Sequence, residues 1–277
     1  MAAQARDGTA GDRQQGRAGE VVLWVDTFNN AFEPDILAAA ERVLRAAGYT
    51  VSLAGPATGD TEPGRPLCCG RTYLSAGLVE QAKAEAVRCL RALAPSLERG
   101  ATVVGLEPSC LLTLRDEFLS LKLGADTALA RTLASRSLLL EEFLDREHAA
   151  GRLALEFKPI AARQALLHGH CHQKAFDAVR PIERVLGLVP GLKVRLIESS
   201  CCGMAGAFGY EAEHYDTSMA MGELSLLPAV READADALVV ADGTSCRHQI
   251  ADGAGRRALH VAEVLAMALP GSPSERH

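Results

Sequence analysis

The tripeptide Cys-Cys-Gly occurs twice, in PLCCGRTY (66–73) and in SSCCGMAG (199–206). Each copy is followed, after a helical stretch and an apolar strand, by Ser-Cys: VVGLEPSC ends at Cys110 and VVADGTSC at Cys246. The intervals from Cys69 to Cys110 and from Cys202 to Cys246 are 41 and 44 residues. Cysteines recurring at matched spacing mark an internal repeat, which restricts the chain to two copies of one architecture. Upstream, WVDTFNNAF (24–32) aligns with HGHCHQKAF (168–176) through the shared Ala-Phe, setting Thr27 opposite Cys171. The second copy therefore holds four patterned cysteines, Cys171, Cys201, Cys202 and Cys246, and the first holds three, Cys68, Cys69 and Cys110.

The apolar runs VVLWV, TVSLA and TVVGL of the first copy, and ALLHG, KVRLI and ALVVA of the second, are continuous rather than alternating. That is the pattern of parallel strands covered on both faces. Between them, apolar residues recur at three and four spacing over 36–47, with Pro34 before and Gly48 after, and again over 78–93, as amphipathic helices require. Strands alternating with such helices give right-handed βαβ crossovers. The expected fold class is α/β, with two pseudo-repeated Rossmann-like βαβ units, parallel sheets, and a CCG motif in each. The expected organisation is a disordered tail over 1–19, a first half over 20–125, a helical connection over 126–160, a second half over 161–269 and a disordered tail over 270–277.

With 277 residues, 48% of them hydrophobic, the chain can bury a substantial core. A net charge of -6 and 4% aromatic content offer neither a phosphate-tracking groove nor a base-stacking platform, so nucleic acid is not an expected partner. No apolar run approaches the ~20 residues of a transmembrane segment, and the opening stretch MAAQARDGTAGDRQQGRAG has no apolar core of an export signal. The expectation is a cytoplasmic protein that reaches a membrane only through a partner. In that setting eight cysteines read as reduced thiols, and clustered reduced thiols point to metal or redox chemistry.

In an open α/β sheet, ligands bind beyond the carboxyl ends of the strands. Cys171 follows ALLHGH, Cys201 and Cys202 follow KVRLIESS, and Cys246 follows ALVVADGTS, so three neighbouring strands would deliver thiolates to one crevice. Adjacent cysteines point apart unless a sharp turn intervenes, and Gly203 permits one by accepting positive φ. Gly203, Gly206 and Gly209 would also let backbone N–H groups approach sulfur. Lys174 and Arg247 are placed to offset negative charge. His168, His170 and His172 alternate beside Cys171, as zinc ligands, as groups tuning a metal centre or as a solvated strand end. Glu107 and Asp242 read as helix caps or turn formers before they read as acid–base groups, and Cys89, inside a helical stretch, reads as core. In the first half a carboxylate such as Asp26 could complete a three-thiol site. The alternative there is a degenerate site with a structural or docking role.

Taken together, these motifs resemble the cysteine-rich CCG domain found in heterodisulfide reductase (B-like) and in the iron–sulfur subunits of glycolate, glycerol-3-phosphate and lactate oxidoreductases. HGHCHQKA, CCGMAGAFGYE and VADGTSCRHQI are most similar to the C-terminal region of bacterial FAD-linked D-lactate and D-2-hydroxyglutarate dehydrogenases, and the resemblance spans 21–269. It implies one 4Fe-4S cluster on Cys171, Cys201, Cys202 and Cys246, with His170, His172, Gly203, Lys174 and Arg247 around it. It also implies FAD in a flavoprotein partner or a domain outside this chain, and a ferredoxin-like iron–sulfur segment as a further partner. The chain itself has no CxxCxxC run and no GxGxxG fingerprint. Gln249 stands where the heterodisulfide reductase pattern has a fifth cysteine, which counts against a five-cysteine cluster.

Three functions compete. The first is an electron-transfer component of an FAD-linked D-2-hydroxyacid dehydrogenase, an oxidoreductase part inactive without its flavoprotein. The others are a thiol–disulfide oxidoreductase of the heterodisulfide reductase kind and a non-redox zinc-binding or interaction module.

Overall fold

The computed structural model describes residues 18–271. The tails expected at 1–19 and 270–277 lie outside the described residues except for residues 18, 19, 270 and 271. The first half comprises β1 (Glu20–Leu23), α1 (Thr27–Ala31), α2 (Pro34–Ala46), β2 (Thr50–Leu53), α3 (Arg71–Ser75), α4 (Val79–Glu98), β3 (Thr102–Gly105), α5 (Pro108–Arg115), α6 (Glu117–Ser120), α7 (Thr127–Arg136), β4 (Ser137–Leu139) and α8 (Leu140–Ala149). The second comprises β5 (Gln164–His168), α9 (Cys171–Ala175), α10 (Val179–Leu186), β6 (Lys193–Leu196), α11 (Tyr215–Glu223), α12 (Leu226–Arg231), β7 (Leu238–Ala241), α13 (Thr244–Ala254), β8 (Ala258–Leu259) and α14 (Val261–Met267).

Each half builds one four-stranded sheet, in the orders β2-β1-β3-β4 and β6-β5-β7-β8. All pairings are parallel. The two orders coincide when the first four strands are laid on the last four, so the repeat read from the cysteines is a repeat of topology. The α/β class with two parallel, helix-interleaved units is the one found. Each half nevertheless has a strand that its sequence pattern does not announce. β4 lies inside the stretch 126–160, expected as a helical connection, and β8 is only two residues long. The strands are also not all covered on both faces. β2 and β6 are sheet edges, and Leu53 and Leu196 on them are exposed. α4 runs on past 93 to Glu98 with Pro95 inside it, because Leu97 in the last turn is buried and its packing outweighs the lost backbone donor.

The halves are joined by helix packing that itself repeats. α2 packs on α14, and α10 packs on α8. Since α2 and α10 hold equivalent places, as do α8 and α14, the joint has the form of a two-fold dimer within one chain. Val43 and Leu44 of α2, Phe143 and Leu144 of α8, Ile182 and Val185 of α10 and Leu265 of α14 lie in one continuous buried cluster.

Above this apolar layer, toward the strand ends, the joint turns polar. Gln173 Nε2 donates to Glu141 Oε1 at 2.7 Å and to Asp242 Oδ2 at 2.9 Å. Asp242 Oδ1 accepts from Val261 N at 3.0 Å. His260 Nδ1 accepts from Ala262 N, so Nε2 carries the proton and donates to Leu106 O at 3.1 Å. Burial, reinforced by the neighbouring Asp242, pushes the Glu141 carboxyl well above its ordinary value of 4.5. The folded chain therefore keeps a proton that the unfolded chain releases, and stability falls as pH rises through 4.5. Glu141→Gln preserves the acceptor for Gln173. It is expected to leave the thermal midpoint unchanged at pH 4 and to raise it at pH 8. Equal destabilisation at both pH values would contradict this account of the joint.

Candidate metal centre

β5, β6 and β7 are neighbours in the second sheet, so the segments leaving their carboxyl ends open on one crevice. Cys171 begins α9, Cys201 and Cys202 lie in the loop after β6, and Cys246 lies in the first turn of α13. The thiols of Cys201, Cys202 and Cys246 are near neighbours in that order, and Cys171 is near enough to Cys201 to feel its charge. Cys202 and Cys246 are buried, Cys201 is partly buried and Cys171 is exposed. The group thus has a dry floor and an open mouth.

The turn that brings Cys201 and Cys202 together depends on Gly203. Its φ is +102°, and a Cβ there would collide with the carbonyl of Ser218 and lie 2.9 Å from Gln249 Nε2. Gly203 N donates to Cys201 Sγ at 3.3 Å. Ala205 N also donates to Cys201, and Met204 N to Cys202. Three consecutive N–H groups facing sulfur form an anion-holding nest. The donors come from 203–205, not from Gly206 and Gly209; Gly206 and Ala205 instead supply further positive-φ backbone.

Lys174 is held against this loop, donating to the carbonyls of Ser199 and Ser200, and it lies within electrostatic reach of all four cysteines. Arg247 does not face the thiols. It is buried, donates to Ala241 O at 3.0 Å and Asp242 O at 2.6 Å, and pairs with Glu33 of the first half. Gln249 is also buried and donates to Ser218 O at 3.1 Å, which fixes α11 against the Gly203 turn.

The three histidines separate. His170 caps α9, its Nδ1 accepting from His172 N at 3.1 Å, and with His172 it gathers around Cys171. His172 Nε2 meets Arg71, which pairs with Glu117. His168, the last residue of β5, instead lies with its ring nitrogen and the sulfurs of Cys202 and Cys246 all within 4.8 Å of one another. Burial lowers the pKa of His168 to about 3 and that of His170 to about 4, so both are neutral at ordinary pH.

The first half repeats the layout with fewer ligands. Cys68, Cys69 and Cys110 are near neighbours in that order, and Thr27, aligned with Cys171, lies beside Cys68. Gly70, at φ +77°, donates to Cys68 Sγ at 3.5 Å. Asp26 is committed elsewhere: Oδ1 accepts from Phe28 N and Asn29 N, and Oδ2 from Asn29 Nδ2 at 2.7 Å. Cys89 is buried, and its thiol donates to Cys68 O at 3.1 Å, tying α4 to the turn. Glu107 caps α5, and its other oxygen accepts from Thr244 N at 2.9 Å. Asp242 caps α14 through Val261 N.

Cys201 and Cys202 resist ionisation. Contact with Cys202 and then burial push Cys201 up. The Cys201 contact lowers Cys202, but the contact with Cys246 and burial outweigh it and carry it to about 12. Thiolates crowded here need a positive centre and must lose their protons to it. A polynuclear iron–sulfur group fits the donor set, since thiolates are its usual ligands and backbone N–H groups its usual outer partners.

Thiols on three parallel strand ends, with a nest of N–H groups, make a candidate thiolate metal centre on a doubled α/β frame. The family model of the CCG cysteine-rich domain matches residues 166–251, within the second half. The chain is 28% identical over 251 residues to a subunit of the anaerobic glycerol-3-phosphate dehydrogenase of Escherichia coli (strain K12), covering 90% of this chain and 59% of that protein. It is 29% identical over 251 residues to the D-2-hydroxyglutarate dehydrogenase of Pseudomonas putida, covering 90% of this chain and 22% of that one. To lactate utilization protein A of Geobacillus kaustophilus it is 26% identical over 259 residues, which is 98% of that protein. The chain thus spans 59% of the length of the glycerol-3-phosphate dehydrogenase relative. The domain match and the thiol groupings together point to an iron–sulfur centre. Among the described residues no helix is long and apolar enough to cross a membrane.

The two loop glycines separate turn strain from steric need. Gly203→Ala meets both, and is expected to cost more than about 3 kcal/mol and to lose bound metal. Gly206→Ala, at φ +72° with nothing within 4 Å of its Cβ, is expected to cost about 1 kcal/mol and to keep metal. Chemical denaturation with metal quantitation reads both, and equal costs would contradict the assignment.

Proposed function

We propose that this chain is the iron–sulfur electron-transfer component, as subunit or domain, of an FAD-linked dehydrogenase acting on a D-2-hydroxy acid or a related hydroxylated substrate. The supporting observation is the row of neighbouring thiols of Cys201, Cys202 and Cys246, with Cys171 at the mouth and N–H donors beneath. A 4Fe-4S cluster on these four cysteines would supply reversible storage of one electron. Cys202 and Cys246 would hold its buried side and Cys171 and Cys201 its open side. The N–H groups of 203–205 and the Lys174 ammonium would offset charge on sulfur. Oxidation of the substrate carbon would belong to FAD in a flavoprotein partner, with a ferredoxin-like segment as a further carrier. Kinship with proteins named as dehydrogenases, most of them longer than this chain, supports that division. The protein would work in the cytoplasm, reaching a membrane only through its partner. The first half, with Thr27 in the fourth place, would serve structure and docking.

A single metal ion on His168, Cys202 and Cys246 is the competing reading, favoured by their mutual distance. It leaves Cys171 and Cys201 without a part. A disulfide reductase of the five-cysteine kind is disfavoured because Gln249, in the fifth place, is spent on Ser218.

Mixing the anaerobic protein with its cognate flavoprotein and a D-2-hydroxy acid should bleach the visible absorbance and raise a reduced-cluster EPR signal. Cys246→Ser should abolish that response, and Cys89→Ser should leave it nearly intact. Dye-linked oxidation of D-lactate or D-2-hydroxyglutarate by this chain alone would contradict the proposal, as would equal loss in both variants.

A further inference from the structure

We propose that His168 is the hydrogen-bond donor that sets the reduction potential of the second-half centre, through an N–H at Nε2 aimed at the sulfur of Cys202 or Cys246. The inference rests on the iron–sulfur reading of that centre given above.

His168 is 1% exposed, and its Nε2 has no hydrogen-bond partner among the described residues. One ring nitrogen of His168 and the sulfurs of Cys202 and Cys246 lie within 4.8 Å of one another. The other nitrogen is already engaged. Nδ1 lies 2.8 Å from Ser199 Oγ, while the alternative acceptor for that hydroxyl, Ile197 O, is 3.4 Å away. Lys174 Nζ also approaches Ser199 Oγ, at 3.4 Å, and an ammonium can only donate. In the tautomer the proposal requires, the Ser199 hydroxyl accepts from Lys174 and donates to Nδ1, and Nε2 carries the ring proton. A neutral thiol offers that N–H a poor acceptor, whereas a metal-bound thiolate offers a charged one.

The repeat supplies an independent observation. In the alignment of 24–32 with 168–176, Trp24 occupies the place of His168. Trp24 is fully buried, it shares a core cluster with Cys69 and Cys110, and its Nε1 has no partner among the described residues either. An indole N–H can only donate. Two chemically different rings thus leave a buried nitrogen unpaired at the same position of two diverged copies. Unpaired buried donors are costly and uncommon, and one at the same place in each copy is accounted for by a shared sulfur acceptor.

A donor to sulfur stabilises the more negative, reduced state more than the oxidised one, so its removal lowers the potential. The test compares anaerobically purified wild-type protein with His168→Leu, which has no donor, and His168→Gln, which retains one. Iron is quantified and the midpoint is read by EPR-monitored redox titration. The expected result is iron retained in both variants, with the reduction equilibrium constant of His168→Leu lowered about tenfold, about 59 mV for one electron. His168→Gln should fall between that variant and the wild type, and Trp24→Phe, in the other half, should not move this midpoint. If His168→Leu does not fold, His168→Gln decides alone: iron kept with a lowered midpoint supports the proposal. Loss of iron in His168→Gln would make His168 a ligand and overturn it. An unmoved midpoint in either variant, or an equal shift in Trp24→Phe, would also overturn it. Wild-type protein holding zinc or no iron would defeat the iron–sulfur reading itself.

Discussion

Crowding thiols into one buried crevice is the constraint on which the rest of this structure depends. Thiol groups set side by side, as Cys201, Cys202 and Cys246 are, repel as thiolates, so the frame must hold them against that repulsion. Parallel strands achieve this because their carboxyl ends emerge side by side. The turn at Gly203 achieves it locally, since its φ of +102° folds the backbone so that the N–H groups of 203–205 face sulfur. Helices on the sheet faces complete the frame, and their packing joins the halves.

The two copies have divided the work. The second keeps Cys171, His168 and the full set of thiols. The first has Thr27 and Trp24 in those places and spends acidic residues on its twin. Glu107 accepts from Thr244 N at 2.9 Å, and Glu33 accepts from Thr244 Oγ1 and from Arg247 Nε, each at 2.9 Å. Those contacts pin the first turn of α13, which carries Cys246. Where the first copy has Glu107, the second has Gly243, at which a Cβ would run into the His170 ring. The first half thus serves as a clamp on a helix that presents a thiol.

Much of this was legible in the sequence, for definite reasons. The duplicated Cys-Cys-Gly and Ser-Cys spacing gave the repeat, and the continuous apolar runs gave six of the eight strands among the described residues. β4 and β8 were hidden because runs of three and two residues carry no periodicity. The alignment set Thr27 in the place of Cys171, and the strand pattern put the four second-half cysteines on one set of strand ends. It could not distinguish three histidines at alternate positions, because the direction of each depends on where β5 ends and α9 begins. Nor could it show that Arg247 turns toward Glu33, a contact that spans the chain from 33 to 247. Long-range pairing of charged groups leaves no local pattern to read.

The central claim is that the second-half thiols hold iron and sulfide. The direct measurement is anaerobic purification of the whole chain followed by quantitation of iron, acid-labile sulfide and zinc. The account predicts about four iron and about four sulfide per chain, as one 4Fe-4S centre requires, with negligible zinc. Stoichiometric zinc without sulfide, or thiols free of any metal, would contradict it.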